Sequence, residues 1–376
     1  MKILIAPDSF KGSLTALEAA SAVEKGIKNF DMNIETQKIP LADGGEGTIQ
    51  ALIDFTGGRK ISKKVHDPLG RIIEAEYALL DDGTAVIEMA EASGLTLLSP
   101  EERNPLVTTT YGTGELIADA LNEGAKKLII AIGGSATNDA GVGLAQALGA
   151  HFFDKNAEEI SFGGENLSKI KEIDLSKLKE TLKGVEVITA CDVDNPFYGE
   201  NGAAYVYAPQ KGADAEMVKI LDKNLKHFAG LIKREFNIDL QKIPGTGAAG
   251  GLGGGLITFL NSELKSGIEI VLDKVGFDNY LKNVDLLITG EGMIDSQTVS
   301  GKAAAGAASR AKKHNIDVIA VAGSLAEGYK KVNKSGIDAV FSILKSPITL
   351  EEAMQSGDIL LEELTEQIIR LYLLGK

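Results

Sequence analysis

One cysteine, four histidines and no long apolar run deny this 376-residue sequence several kinds of chemistry. Cys191 has no second cysteine for an internal disulfide, which suits a reducing cytoplasm. His66, His151, His227 and His314 are scattered without metal-ligand spacing, so no zinc site is expected. No apolar stretch approaches the roughly eighteen residues that a membrane helix needs. The opening MKILIAPDSFKGS reaches Asp8 and Lys11 too soon for a secretory apolar core and shows no small-residue cleavage site, so it reads as a first strand. Basic residues are outnumbered, 39 Lys and Arg against 53 Asp and Glu, giving a net charge of -14 with no basic run to offset it. That field repels polyphosphate backbones and anionic lipid, which argues against nucleic acid and membrane partners. A small anionic substrate remains open, because a few cations or a helix N-terminus outweigh the global charge locally.

What the chain does have is an ordinary globular composition, 44% hydrophobic and 24% charged, and enough length for two domains. Its recurrent unit is a short apolar run closed by Gly, Asp or Ser and followed by a helical pattern. KILIAPDS (2–9) leads to a helix opening at Thr15, where Thr15 and Glu18 have capping-box spacing and Leu17, Ala20, Val23 and Ile27 mark one stripe. KKLIIAIGGS (126–135) follows a helix bearing Leu116, Ile117, Ala120 and Leu121 and closed by Gly124. VDLLITGEG (284–292) precedes an Ala-rich helix at about 302–314, and IDVIAVAGS (316–324) follows it. This alternation predicts a mostly parallel sheet with helices on both faces. Residues 63–99 alternate instead and carry the hairpin signal Asp82-Gly83, which is antiparallel material. The chain therefore reads as a doubly wound α/β domain, 1–62 with 283–376, interrupted by a second α/β domain at 63–282; residues 105–150 fit either body. The tail from Leu350, with Leu360, Leu361, Leu364, Ile368 and Leu371, reads as one amphipathic helix.

Ligands of open parallel sheets bind beyond the carboxyl ends of the strands, and there this sequence places carboxylates and glycines. The first run ends at Asp8-Ser9, VEVITACDVDNP (185–196) ends at Asp192 and Asp194, the run from 284 leads to Glu291 and Asp295, and PLADGGEGT (40–48) offers Asp43 and Glu46. Glycines admit close backbone approach, while carboxylates bind a hard cation or accept a proton; together they describe phosphoryl transfer from a magnesium nucleotide. Taken singly, each Asp is equally an N-cap or a turn former. Lys11, Lys211 in APQKGA and Lys302 in VSGK are candidate cations for a phosphate or carboxylate, or solvated lysines. GGSATNDAG (133–141) has the look of an anion-binding turn, with Gly133, Gly134, Ser135, Thr137 and Asn138 at the start of a helix, or of a well-capped turn. Cys191 reads as a small buried hydrophobe.

Two familiar signatures fail. Gly245, Gly247 and Gly250 satisfy G-x-G-x-x-G, with Glu269 at the distance of a ribose-binding acid, but the preceding DLQKIP is no strand. Gly301-Lys302 is not a Walker A end, because Ser296 and Ala303 stand where Gly and Ser or Thr are needed.

As a set, APDSFKGS, PLADGGEGT, GTGE (112–115), IGGSATNDAG, ACDVDNP, APQKG, GAAGGLGGG, ITGEGMIDSQT and VAGS resemble, in this order, the bacterial glycerate kinase family of the first type, from about residue 2 to about residue 345. The resemblance implies ATP-dependent phosphorylation of glycerate, in most members at the 2-hydroxyl, with Mg2+. It also implies a flavodoxin-like domain interrupted by a restriction-enzyme-like α/β domain, with the site in the cleft between them. Met293 departs from the Arg common in the family, so no cationic phosphate contact is expected from that position.

On this reading Asp8, Asp43, Asp192 and Asp295 converge. Asp192 or Asp295 takes the proton of the substrate hydroxyl, and the other holds Mg2+ with Asp43. Lys11, with Asp8, Ser9 and Ser13 around it, binds the glycerate carboxylate or a nucleotide phosphate; Lys211, Glu291 and Lys302 are further candidates, and GGSATND binds phosphate or carboxylate. The glycine run 245–255 is a hinge, lies under the nucleotide, or packs as a tight turn. Two rivals stand beside the kinase: a nicotinamide-dependent hydroxy-acid dehydrogenase resting on the single G-x-G-x-x-G, and a two-domain carboxylate-binding protein without catalysis.

Overall fold

The computed structural model describes residues 1–42, 48–296, 298 and 302–374. Asp43 and Glu46 therefore lie outside the described residues. The chain begins with strands β1 (Lys2–Pro7), β2 (Glu35–Lys38), β3 (Gly58–His66), β4 (Ile72–Leu80) and β5 (Thr84–Glu88). It continues through β6 (Lys127–Ala131), β7 (His151–Phe153), β8 (Glu172–Asp174), β9 (Glu186–Ala190) and β10 (Glu263–Lys265), and ends with β11 (Leu286–Ile294), β12 (Asp317–Leu325) and β13 (Ala339–Ser342). It divides into two compact units, Met1–Thr56 with Ser266–Lys376, and Gly57–Lys265.

The first unit is built on a parallel sheet in the order β13-β12-β11-β1-β2. Its central strands β1, β11 and β12 carry buried apolar runs because both faces are covered, whereas the edge strands β2 and β13 are only partly buried. On one face Ile3, Ile5, Ile288 and Val321 form a buried cluster with Val23 and Ile27 of the helix Ala16–Phe30 and Leu361 and Ile369 of the helix Gly357–Leu374. On the other, helix Ala303–Lys312 packs through its alanines against β11 and β12. Thr15 and Glu18 form the expected capping box, with Thr15 N donating to the Glu18 carboxylate at 2.9 Å and Glu18 N to Thr15 Oγ1 at 3.2 Å. Helix Gly357–Leu374 docks so tightly on Ala16–Phe30 that a Cβ at Gly26 would lie 2.3 Å from the Glu362 carbonyl oxygen.

The second unit holds a six-stranded sheet, β10-β9-β6-β5-β4-β3, whose first four strands are parallel. β5, β4 and β3 run antiparallel, as the alternation at 63–99 predicts, and Gly83 turns the chain at φ +80. β7 and β8 form a small antiparallel pair. Phe152, Phe197, Phe228 and Tyr77 anchor the buried core.

Three sequence expectations change here. The units divide at Thr56/Gly57 and Lys265/Ser266 rather than at 62/63 and 282/283, and residues 105–150 fall in the second unit. β3 pairs with β4 from Gly58 onward, which draws the first boundary back. Helices Gly267–Lys274 and Phe277–Tyr280 go with the first unit because Arg310, buried in Ala303–Lys312, pairs with Glu269, Asp273 and, at 3.1 Å, Asp278. Of the readings of the glycine run, tight packing is the one observed, as part of the buried helix Ala248–Leu260, kinked at Ala249–Gly251, rather than as a turn. A Cβ on Gly253, Gly254 or Gly255 would lie 2.4 Å from Gly245 O, 2.6 Å from the Phe197 ring and 2.1 Å from Ala140 O respectively, so only glycine permits this packing. The tail is two helices, Leu350–Gln355 and Gly357–Leu374; Leu360, Leu361 and Ile368 are buried, whereas Leu371 is 59% exposed.

Candidate active site

Each unit brings candidate residues to the carboxyl edge of its parallel strands. In the first, Pro7 pairs with Gly290 and Gly290 with Val321, so Asp8, just past the end of β1, stands beside Glu291 of β11. Asp8 N donates to Gly290 O at 2.8 Å, and Ser9 N donates to Asp8 Oδ1 at 2.6 Å. Phe10 and Leu14 exchange backbone hydrogen bonds, Gly12 turns at φ +77, and the exposed Lys11 occupies the bend ahead of the helix. Ser13 directs its hydroxyl to Met354 O at 2.6 Å, tying this turn to the C-terminal segment.

Glu291 is 8% exposed, and Lys302, at the N-cap of Ala303–Lys312, donates to its Oε2 at 3.0 Å. Burial pushes the Glu291 pKa up; the Lys302 ammonium and, from farther off, the Thr298 hydroxyl pull it back. Among the described residues the buried Oε1 has no hydrogen-bond partner. Lys302 Nζ also stands 3.7 Å from Asp295 Oδ1, and Asp295 is held by the Thr298 backbone N–H at 3.1 Å. A pocket of about 690 Å³ opens over this cluster. Its polar wall includes Asp8, Ser9, Lys11, Ser13, Glu291 and Lys302, and its apolar wall comprises Phe10, Met293 and residues of the segment Ile343–Met354.

In the second unit Glu88, Ala131, Ala190 and Lys265 stand in register, so β5, β6, β9 and β10 end together. The turn 133–141 leaves β6 there, and the loop 191–196 leaves β9. Lys211, from the turn Pro209–Lys211, is 2% exposed and donates to Thr137 O at 2.6 Å and Ser135 Oγ at 3.2 Å. Burial pushes its pKa down to about 7, against the pull of the Asp139 carboxylate. Asp139 is 1% exposed and accepts from Thr110 N at 2.8 Å, Thr110 Oγ1 at 2.9 Å and Gly141 N at 3.2 Å. Burial raises its pKa and these bonds oppose the rise. The Asn138 amide is wholly buried, and neither of its polar atoms has a hydrogen-bond partner among the described residues.

The structure thus places Asp8, Ser9, Lys11, Ser13, Glu291 and Lys302 around one pocket with Asp295 beside it, and Ser135, Thr137, Asn138 and Lys211 in one buried cluster. The turn departs from expectation. Its helix, Val142–Ala147, starts only beyond Gly141, and Thr137 and Asn138 are 0% exposed, so Gly133 and Gly134 are what it shows to solvent. Lys211 is not a solvated lysine. Asp192 and Asp194 are exposed on the loop after β9. The Cys191 thiol donates to Val193 O at 3.4 Å and burial pushes its pKa up, the opposite of a nucleophile's tuning. Gly245–Gly250 follows the 3-10 turn Leu240–Lys242, not a strand, so no dinucleotide turn forms. Two contributors escaped the sequence: the Ile343–Met354 wall, whose only visible signal was the Thr349/Glu352 capping spacing, and Asp139, legible as a cap but not as an anchor. Among the described residues no three His, Cys, Asp or Glu side chains group as a metal site, and no helix is long and apolar enough to cross a membrane.

A family profile described as the glycerate kinase family matches residues 3–373, which extends the likeness through the C-terminal helices. The chain is 52% identical over 367 residues to a glycerate kinase of Halalkalibacterium halodurans, covering 97% of each. It is 50% identical to the glycerate 2-kinase of Escherichia coli K12, covering 95% of this chain and 94% of that one. A crystal structure from Salmonella typhimurium LT2, described provisionally as glycerate kinase 2, superposes with a TM-score of 0.91 at 45% identity over 100% of this chain and 99% of its own. The chain belongs to the glycerate kinase family and is an enzyme of the kinase class.

Proposed function

We propose that this kinase transfers the γ-phosphoryl group of ATP to the 2-hydroxyl of glycerate, giving 2-phosphoglycerate. The observation that carries this reading is the Glu291–Lys302–Asp295 cluster under a pocket at the carboxyl edge of a parallel sheet. The strand order of the first unit, counted along its own strands, is 2-1-3-4-5, which supports a flavodoxin-like domain. The second, with its mixed sheet, fits the restriction-enzyme-like partner. The name of the Escherichia coli relative supports the 2-hydroxyl as acceptor.

In this mechanism Lys302 and Lys11 bind donor phosphates, and the backbone amides of Gly133 and Gly134 receive the glycerate carboxylate. Among the described residues, its chain neighbours aside, nothing stands within 4 Å of the Cβ position of Gly133, which leaves room for that approach. Asp192 and Asp295 divide two roles: one accepts the proton of the glycerate hydroxyl as its oxygen bonds to the γ-phosphorus and the bond from that phosphorus to the departing ADP oxygen breaks, and the other would join Asp43 as a metal ligand. The donors are carboxylate oxygens, hard ligands suited to Mg2+, an ion usually held by one or two carboxylates together with substrate phosphates. When bound, Mg2+ supplies neutralisation of charge on the transferring phosphoryl group. Asp8 and Ser9 line the same pocket and orient the phosphate end.

The test is steady-state ATP turnover of Asp192→Asn and Asp295→Asn, with circular dichroism to verify folding. Loss of a positioned base lowers turnover by about 10²–10⁴-fold. If both variants fold and keep near wild-type rates, the assignment of these carboxylates is wrong.

A further inference from the structure

We infer that the pocket of the first unit is the nucleoside subsite, with the purine base of the phosphoryl donor lying against the Ile343–Met354 wall and its phosphates directed toward Lys302. This rests on the kinase reading above and assigns its larger substrate to one place. The strand order reverses between β1 and β11, and the pocket opens at their carboxyl ends, the position where open α/β sheets bind ligands. Its volume of about 690 Å³ is of nucleotide scale, whereas glycerate, with about seven non-hydrogen atoms, would occupy a small fraction of it.

Polarity points the same way. Asp8, Glu291 and Lys302 mark one end, while Met293, Ile343, Leu344, Ile348, Leu350 and Met354 form the other. Met293 is 49%, Leu344 41%, Ile348 38% and Leu350 76% exposed, an apolar surface that water covers poorly. Glycerate, a carboxylate bearing two hydroxyls, has no apolar face to lay on it; a purine has two. Methionine thioethers at 293 and 354 suit a flat aromatic face. The wall is also preformed. Thr349 and Glu352 cap the helix Leu350–Gln355 reciprocally, and Ser13 holds its Met354 carbonyl at 2.6 Å.

Calorimetric titration of the full chain with ADP tests the assignment, on wild type and on Leu350→Asn, Leu350→Asp and Leu350→Met, alongside KM values for ATP and glycerate. The exposure of Leu350 makes these variants safe for folding. Leu350→Asn is expected to weaken ADP binding by about tenfold and to raise KM for ATP while KM for glycerate stays within about twofold; Leu350→Met, which keeps an apolar contact, loses less than Leu350→Asn, and free adenosine competes with ADP. If Leu350→Asn and Leu350→Asp bind ADP like wild type, or raise KM for glycerate instead, the subsite assignment fails even where glycerate-dependent turnover is normal. If ADP binding falls as expected but no variant or wild-type protein phosphorylates glycerate, the subsite stands and the kinase reading fails.

Discussion

Replacing Lys211 with Met isolates the cost of burying one cation. Lys211 is 2% exposed, and burial takes its pKa from the usual 10.5 to about 7. An unfolded chain holds this proton up to the ordinary lysine range, whereas the native chain releases it near neutrality, so between these values the unfolded state binds more protons and stability rises with pH. Below the native value the penalty is complete, and above the unfolded one it is gone. Taken through both constants, the penalty relaxes by roughly 2–3 kcal/mol between pH 7.5 and pH 9.5. Methionine preserves the stem and carries no charge, so Lys211→Met loses this dependence and keeps only a pH-independent offset from the two lost hydrogen bonds to the Thr137 carbonyl and the Ser135 hydroxyl. Urea unfolding followed by far-ultraviolet circular dichroism at both pH values measures the difference, and other groups that titrate there cancel between the two proteins. Wild type is expected to gain that amount relative to the variant on going to the higher pH. Parallel curves would show that Lys211 is not a buried cation and would refute the reasoning.

Further outcomes follow from packing and hydrogen bonding. Gly255→Ala places a methyl group 2.1 Å from the Ala140 carbonyl oxygen and is expected to cost about 2–4 kcal/mol, whereas Gly230→Ala, in an open position of the helix Ala215–Phe236, is expected to add about 0.5–1 kcal/mol; thermal denaturation of the pair reads both signs. Asp139→Asn turns an amide group toward the Thr110 and Gly141 donors that the carboxylate accepts from, and is expected to cost about 2–4 kcal/mol, read as a fall in the urea midpoint. Arg310→Met leaves three half-exposed carboxylates to water but removes the tie between Ala303–Lys312 and Gly267–Lys274; a loss of about 1–3 kcal/mol by the same assay is expected.

The strand ends were legible because buried parallel strands read as apolar runs, and whatever closes such a run must stand at the sheet edge. Asp8, Glu291, Ser135 and Asp192 were found in that way, and the Thr15 capping box located the first helix to the residue. What escaped depends on tertiary partners. Nothing in APQKGA signals that Lys211 is buried on the Thr137 carbonyl, since a lysine before glycine reads equally well as solvated. The placement of residues 266–280 hinges on Arg310, more than thirty positions away in sequence. Glycine density at 245–255 suits both a hinge and a helix packed against backbone, and only the neighbouring Ala140 and Gly245 carbonyls decide between them. The apolar wall at 343–354 has no catalytic residue type to draw the eye, so the pocket was read from one side only.

Phosphorus NMR of the purified protein with Mg-ATP and D-glycerate, against a control lacking glycerate, tests the central claim most directly. A new phosphomonoester resonance that requires glycerate, with proton coupling to a single methine hydrogen, is the outcome expected for transfer to the 2-hydroxyl. Coupling to a methylene pair would move the transfer to the 3-hydroxyl, and ATP left intact by folded protein would contradict glycerate phosphorylation itself.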